Sequence, residues 1–274
     1  MLTGIFTPVT DGQITPARLG REVEDRGFES LFVPEHSHIP SRFETPTPDG
    51  NPLSGDYYRN LDPFVTLTAA AVATTRLRLG TAVTLVAQRD PIHLAKELAS
   101  IDLVSGGRVE LGAGAGWLRE EIANHGTDPA TRVRLLMERL AAVKEIWTRD
   151  EASFHGRFVD FEPIQVWPKP VQRPHPPVWL AGWGPTTFSR VVSSGSGWMA
   201  PVALPVPELE RGMKELATSA SPAPVPVIAT LLDATERDVE AVRELGVHRL
   251  LLGLGNVAPE AQTLRRLDRY AELL

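Results

Sequence analysis

Three groups of residues in this chain have the types and spacing to do chemistry. Glu35-His36-Ser37-His38 follows the apolar run Ser30 to Val33. An imidazole beside a carboxyl can move protons near neutral pH. Histidines at i and i+2 could also share a metal, but no second His or Asp cluster stands out to complete a site. A proton donor, or a donor to a bound ring, is the stronger reading of His36, and no metal is expected. The second group is Gly112 to Gly116, GAGAG. Its spacing does not match GxGxxG, and it follows the fourth strand rather than the first. It reads as a tight strand-to-loop turn, combined with close approach of a flat ring to backbone that carries no side chain. The third is Gly182-Trp183-Gly184-Pro185-Thr186-Thr187. Exposed amides at a helix start hold phosphate well, and an ordinary glycine-rich connection explains the same residues equally well.

Other chemistries have less support. No GxSxG elbow is present and cysteine is absent, which removes hydrolytic triads, thiol catalysis and disulfides. Glu35, Glu110, Glu120 and Glu121 leave paired-carboxylate glycoside chemistry open. Glu110 lies in a strand and reads as an outward ion-pair partner. Glu120 and Glu121 read as a solvated helix face.

The elements that must position these groups follow from periodicity. Leu79 to Val86 is a strand buried on both faces. Asp90 and Pro91 then cap and start a helix with Leu94, Leu98 and Ile101 on one face, ended by Gly106 and Gly107. Arg108 to Ala113 is the next strand, so the pair is parallel with a right-handed crossover. Further strands are read at Leu2 to Thr7, Ser30 to Val33, Val178 to Ala181, Gly197 to Val202, Val225 to Leu231 and Arg249 to Leu254, with helices between most of them. Phe154 to Phe161 reads as a small hairpin. Eight strands alternating with helices point to a closed (β/α)8 barrel, spanning 1–274 as one domain. Glu35, His36, Thr84, Gly114 and Gly182 then share its carboxyl face, where such folds keep ligands. Ile39 to Asn60 has no periodicity and is long for a connection, which marks it as functional or a linker.

Composition bounds the partners. The 274 residues carry a net charge of −6, which gives no electrostatic case for nucleic acid or an anionic membrane. No apolar stretch approaches the roughly 20 residues that span a bilayer. No basic leader precedes an apolar run, and the lack of cysteine suits a reducing compartment, so a cytoplasmic location is expected.

In this order and spacing, five segments resemble the luciferase-like monooxygenase superfamily, more closely its branch of oxidoreductases using the deazaflavin coenzyme F420. They are LFVPEH (Leu31 to His36), RLGTAVTLVAQRDP (Arg78 to Pro91), LAKELASIDLVSGGRVELGAGAGW (Leu94 to Trp117), FHGRFVDFEPIQVWPKPVQRPHPPVWLAG (Phe154 to Gly182) and Gly182 through GSGWM, ending at Met199. The resemblance implies a TIM-like barrel with a bent flavin or deazaflavin at the carboxyl ends of the strands. It implies a cis peptide at Ala82-Val83 behind the ring and Thr84 beside the ring edge. Gly112, Ala113 and Gly114 would pass near the ring's polar edge. Gly182, Trp183, Gly184, Pro185 and Thr186 would hold the phosphate through backbone amides. Trp183 departs from the smaller or polar residue more usual there, and its indole would obstruct binding if it stood in the channel.

The implied reaction is hydride transfer to or from C5 of the deazaflavin. His36 is expected as proton donor, with Glu35 second. The loop from Ile39 to Asn60 would cover a small-molecule substrate, with Tyr57, Tyr58 and Trp117 as an aromatic wall. The same residues also fit a flavin mononucleotide (FMN) monooxygenase supplied by a partner reductase, or a barrel that has lost its cofactor and survives as a binding protein. A homodimer is expected from the resemblance alone.

Overall fold

The computed structural model describes residues 1–48, 50–219, 224–255 and 258–274. Its elements run β1 (Leu2–Phe6), α1 (Pro16–Asp25), β2 (Ser30–Val33), α2 (Pro63–Ala73), β3 (Arg78–Thr81), β4 (Thr84–Leu85), α3 (Pro91–Ser105), β5 (Val109–Gly114), α4 (Arg119–Asn124) and α5 (Arg132–Thr148). The chain continues through β6 (Ala152–His155), β7 (Asp160–Ile164), β8 (Val178–Ala181), α6 (Pro185–Ser194), β9 (Gly197–Met199), α7 (Val206–Ser219), β10 (Val227–Leu232), α8 (Glu236–Glu244), β11 (Arg249–Gly253) and α9 (Glu260–Ala271).

Local chemistry starts the helices. Asp62 accepts from the amides of Phe64 and Val65, and Asp90 from those of Ile92 and His93, with proline as the first helical residue each time. Each such cap contributes about 1 kcal/mol. Thr235 and Asp238 bond reciprocally at the start of α8. Gly106 and Gly195 take the left-handed conformation that ends α3 and α6.

The main sheet closes on itself in the order β1, β2, β3, β5, β8, β9, β10, β11, with every pair parallel. This is the expected closed eight-stranded α/β barrel. Inside it Phe32, Trp179, Met199, Ile228 and Leu251 form a packed cluster. A larger apolar layer joins the barrel's outer face to the helices. The β6–β7 hairpin lies outside the barrel sheet.

Two expectations need correction. The third strand is not continuous from Leu79 to Val86. Gly80 pairs with Glu110 and Thr84 with Ala113, so four steps on one strand face three on the other. The extra residue breaks the strand into β3 and β4, as a bulge does, and the Ala82-Val83 peptide between them is cis. Glu110 does not point outward. Its carboxylate is buried and accepts from Arg249 at 2.8 and 3.0 Å, from Trp179 Nε1 at 2.6 Å, and from Arg78. The Arg249 guanidinium also bonds Glu29 and lies over the Phe32 and Trp179 rings. Burial pushes the Glu110 carboxyl up, but the two arginines outweigh it and hold it below its ordinary value.

Candidate active site

The carboxyl ends of all eight strands open into one cavity of about 720 Å³. Phe6, Pro34, Val83, Gly114, Ala181, Pro201, Leu232 and Gly255 each reach it from a different strand end. Pro48, Ser54, Asp56, Tyr57 and Asn60 reach it from the loop over the top, so that loop does border the cavity; its residue 49 lies outside the described residues. Tyr57 and Trp117 line the wall with their rings edge to face, whereas Tyr58 is exposed and does not.

His36 sits at this wall, its ring 5.1 Å from Tyr57 and 5.9 Å from Trp117. Its Nδ1 lies 2.8 Å from Glu121 Oε2. Glu121 is therefore not part of a solvated face. Leu118 and Ile122 are both fully buried, and Glu121 falls on their side of α4 at i+3 from Leu118. That spacing was the available signal, hidden because adjacent glutamates look alike. Glu120 faces the other way, yet it too has a task. It accepts from Glu44 N at 2.8 Å, Thr45 N at 3.2 Å and Thr45 Oγ1 at 2.6 Å, tying the covering loop to α4. Burial acts to raise its pKa, but these bonds outweigh it and lower it to about 2.

Glu35 is buried at the cavity edge, and both its oxygens are engaged. Oε2 accepts from Leu85 N at 2.7 Å, and Oε1 accepts from Arg89 at 2.7 and 2.6 Å. Arg89 in turn bonds Asp62, the cap of α2. Glu35 thus fastens the end of β2 to β4 and α2. Burial pushes its carboxyl above the ordinary range, against the pull of Arg89. His38 lies away from the cavity. Its Nδ1 is 2.9 Å from Ser37 Oγ, which is also 2.7 Å from His125 Nε2. No group of His, Asp and Glu among the described residues could hold a metal.

Of the residues expected around a cofactor, His36, Ala82, Val83, Gly114 and Gly182 line the cavity. Thr84 does not. It is buried and donates to Thr81 Oγ1, which donates to Gly112 O and accepts from Gly112 N. Gly112 is close-packed for a reason other than a ring: a Cβ there would meet Thr81 O at 1.9 Å. At Gly114 a Cβ would meet Val83 Cγ2 at 2.3 Å, so this glycine lets β5 pass the cis peptide at the cavity floor. Ala113 is buried in β5.

At the start of α6 the Thr187 and Phe188 amides donate to Gly184 O, and Pro185 has no N–H. Thr186 N–H has no intrahelical acceptor. Trp183, Gly184, Pro185 and Thr186 are not on the cavity wall; Gly182, Thr187 and Arg190 are. The Trp183 indole does not obstruct the channel. It packs against Phe188, Trp198 and the Arg211 guanidinium, in space that Gly212 leaves open. Arg190, which sequence reasoning missed, is half-buried and has no ion-pair partner among the described residues. Its i+3 spacing from Thr187 was the signal.

A family model for luciferase-like monooxygenases matches residues 11–273. The chain belongs to that family. An uncharacterised protein of Mycobacterium tuberculosis is 39% identical over 263 residues, 92% of this chain and 91% of its own length. The FMNH2-dependent dimethylsulfone monooxygenase of Pseudomonas putida is 37% identical over 126 residues, 45% of this chain and 35% of that protein. Among solved structures, an F420-dependent secondary alcohol dehydrogenase in complex with an F420-acetone adduct superposes with a TM-score of 0.81. It is 16% identical and covers 100% of this chain and 98% of its own. The F420-dependent dehydrogenase thus shares this barrel fold, and the matched stretch of the P. putida protein belongs to an enzyme that uses reduced FMN.

The residues present fit a phosphate-bearing ring cofactor of either kind. At one end Arg190 supplies a guanidinium, unpaired among the described residues, beside Gly182 and Thr187. Asn60, on the cavity wall, has a buried Oδ1 without a partner. The walls between are apolar and aromatic, as ring sites usually are.

Proposed function

We propose that this protein is an F420-dependent oxidoreductase that moves hydride between the deazaflavin and a small organic substrate. The observation that carries it is one cavity with a proton-moving group, His36, and a phosphate-suited end, Gly182, Thr187 and Arg190. Deazaflavin supplies two-electron hydride chemistry when bound. Arg190, beside Gly182 and Thr187, would hold the phosphate. Val83 and Gly114 would form the surface beneath the ring. His36 holds or receives the proton of the substrate oxygen at Nε2. Tyr57, Trp117 and the covering loop exclude water.

The P. putida relative favours a second reading, an FMN monooxygenase supplied with reduced flavin by a partner reductase. Anaerobic turnover separates the two. Loss of deazaflavin absorbance with a panel of small alcohols under argon supports the first. Product formation only with reduced FMN and oxygen supports the second.

The proposal includes a homodimer. Val65 and Val72 of α2 and Leu103 and Val104 of α3 are exposed on two helices packed side by side. A second copy of the chain would cover these exposed apolar side chains.

A further inference from the structure

Glu121 has no role in the proposed reaction so far, yet its surroundings decide the state of His36. The Ser37 main-chain N–H can only donate, and it donates to Glu121 Oε1 at 2.9 Å. Ser37 Oγ approaches the same oxygen at 3.2 Å. Oε2 faces His36 Nδ1 at 2.8 Å. The Glu121 side chain is 1% exposed. Burial acts to raise its pKa, but the bonds from His36 and Ser37 outweigh that and keep it below the ordinary value. An ionised carboxylate only accepts hydrogen bonds, so Nδ1 must carry a proton whether the ring is neutral or charged. In the neutral ring Nε2 is then bare. It has no protein partner among the described residues, and the ring borders the cavity beside Tyr57 and Trp117.

We propose that Glu121 is a positioning residue that locks neutral His36 as the Nδ1–H tautomer, so that the site takes a ligand presenting a hydroxyl donor to Nε2. The consequence for turnover rests on the hydride-transfer reading above. The hydroxyl proton passes to Nε2 and leaves an imidazolium paired with Glu121. A bound deazaflavin would supply the hydride acceptor for the adjacent C–H hydrogen and its electron pair, and a carbonyl product would remain. In the reverse direction the imidazolium returns the proton to the nascent alkoxide.

The test reads the tautomer directly, on the full chain without cofactor, by 15N NMR of histidine-labelled protein at a pH where the ring is neutral. The H36Q spectrum identifies the His36 signals. The expected wild-type result is a protonated Nδ1 and an unprotonated Nε2. In Glu121→Gln the Ser37 N–H still demands an oxygen, so the amide turns its NH2 toward His36. Nδ1 must then accept, and the proton moves to Nε2. A wild-type ring protonated at Nε2 overturns the proposal, and so does an E121Q ring that keeps the wild-type tautomer. If E121Q does not fold, the wild-type tautomer alone decides. Failure to bind deazaflavin would overturn the reaction reading and leave this result standing, because no cofactor enters the measurement.

Discussion

At the residue scale, the proposed function concentrates in His36 and in two glutamates that the sequence makes look interchangeable. Replacing His36 with alanine removes the proposed proton acceptor and leaves the proposed phosphate end untouched. A positioned acid or base is worth about 10²-fold or more. H36A should therefore lower kcat about 100-fold, with cofactor affinity within about threefold of wild type. Steady-state kinetics and a binding titration check this; unchanged kcat would remove His36 from the chemistry. Glu120 acts on the covering loop instead. Its pKa is lowered in the folded state to about 2, so the stability it lends is present above the unfolded carboxyl range and is lost as pH falls through about 2. Protection of the Glu44 and Thr45 amides from hydrogen exchange, taken relative to the intrinsic rate at each pH, should fall as the solution is acidified toward that value. In E120A it should be low already at neutral pH, and unchanged protection there would mean the loop is held by other contacts. The sequence made His36 legible because His after a strand end is rare and placed. It hid Glu121, because what separates it from Glu120 is only which side of a six-residue helix it occupies.

Among the elements, strands carry more of the answer than helices. The Asp-Pro start and the glycine end of α3 were readable one residue at a time, because each is a local demand of helix termini. The break between β3 and β4 was not readable from periodicity. It is set by pairing with β5, a neighbour distant in sequence, and only the family resemblance pointed to it. The inward turn of Glu110 was hidden for the same reason: its partners Arg249 and Trp179 are on β11 and β8. That cluster should be sensitive to truncation, because removing one member strands a buried charge. E110A is expected to destabilise the fold by about 3–5 kcal/mol, read by chemical unfolding. The E110M/R249M pair should recover much of the loss, whereas a loss under about 1 kcal/mol in E110A would show the cluster to be dispensable. At α6, Arg190→Ala should weaken a phosphate-bearing cofactor about tenfold or more, as expected for a lost charge-assisted bond. Its affinity for the dephosphorylated ring compound should stay within about threefold. Equal weakening of both would place Arg190 away from the phosphate.

For the whole molecule, closure of the barrel brings eight strand ends to one cavity, and this was legible because eight strand-helix units leave few other solutions. The identity of the ring was not, because FMN and F420 ask the barrel for the same things: a flat apolar slot, a phosphate end and a covering loop. Among the described residues no helix is long and apolar enough to cross a membrane. The exposed apolar side chains of α2 and α3, Val65, Val72, Leu103 and Val104, are proposed to hold two copies together. Light scattering should report a dimer for the wild type and a monomer for V72D, and a monomeric wild type would remove that expectation. The central claim, deazaflavin as cofactor, is met most directly by equilibrium binding. Purified protein is titrated with F420 and separately with FMN, each oxidised and reduced, and followed by fluorescence. Tight F420 binding with FMN at least about tenfold weaker is the expected result. Preference for reduced FMN would contradict it and move the protein to the oxygen-activating members of the family, and binding of neither would leave a barrel without the proposed chemistry.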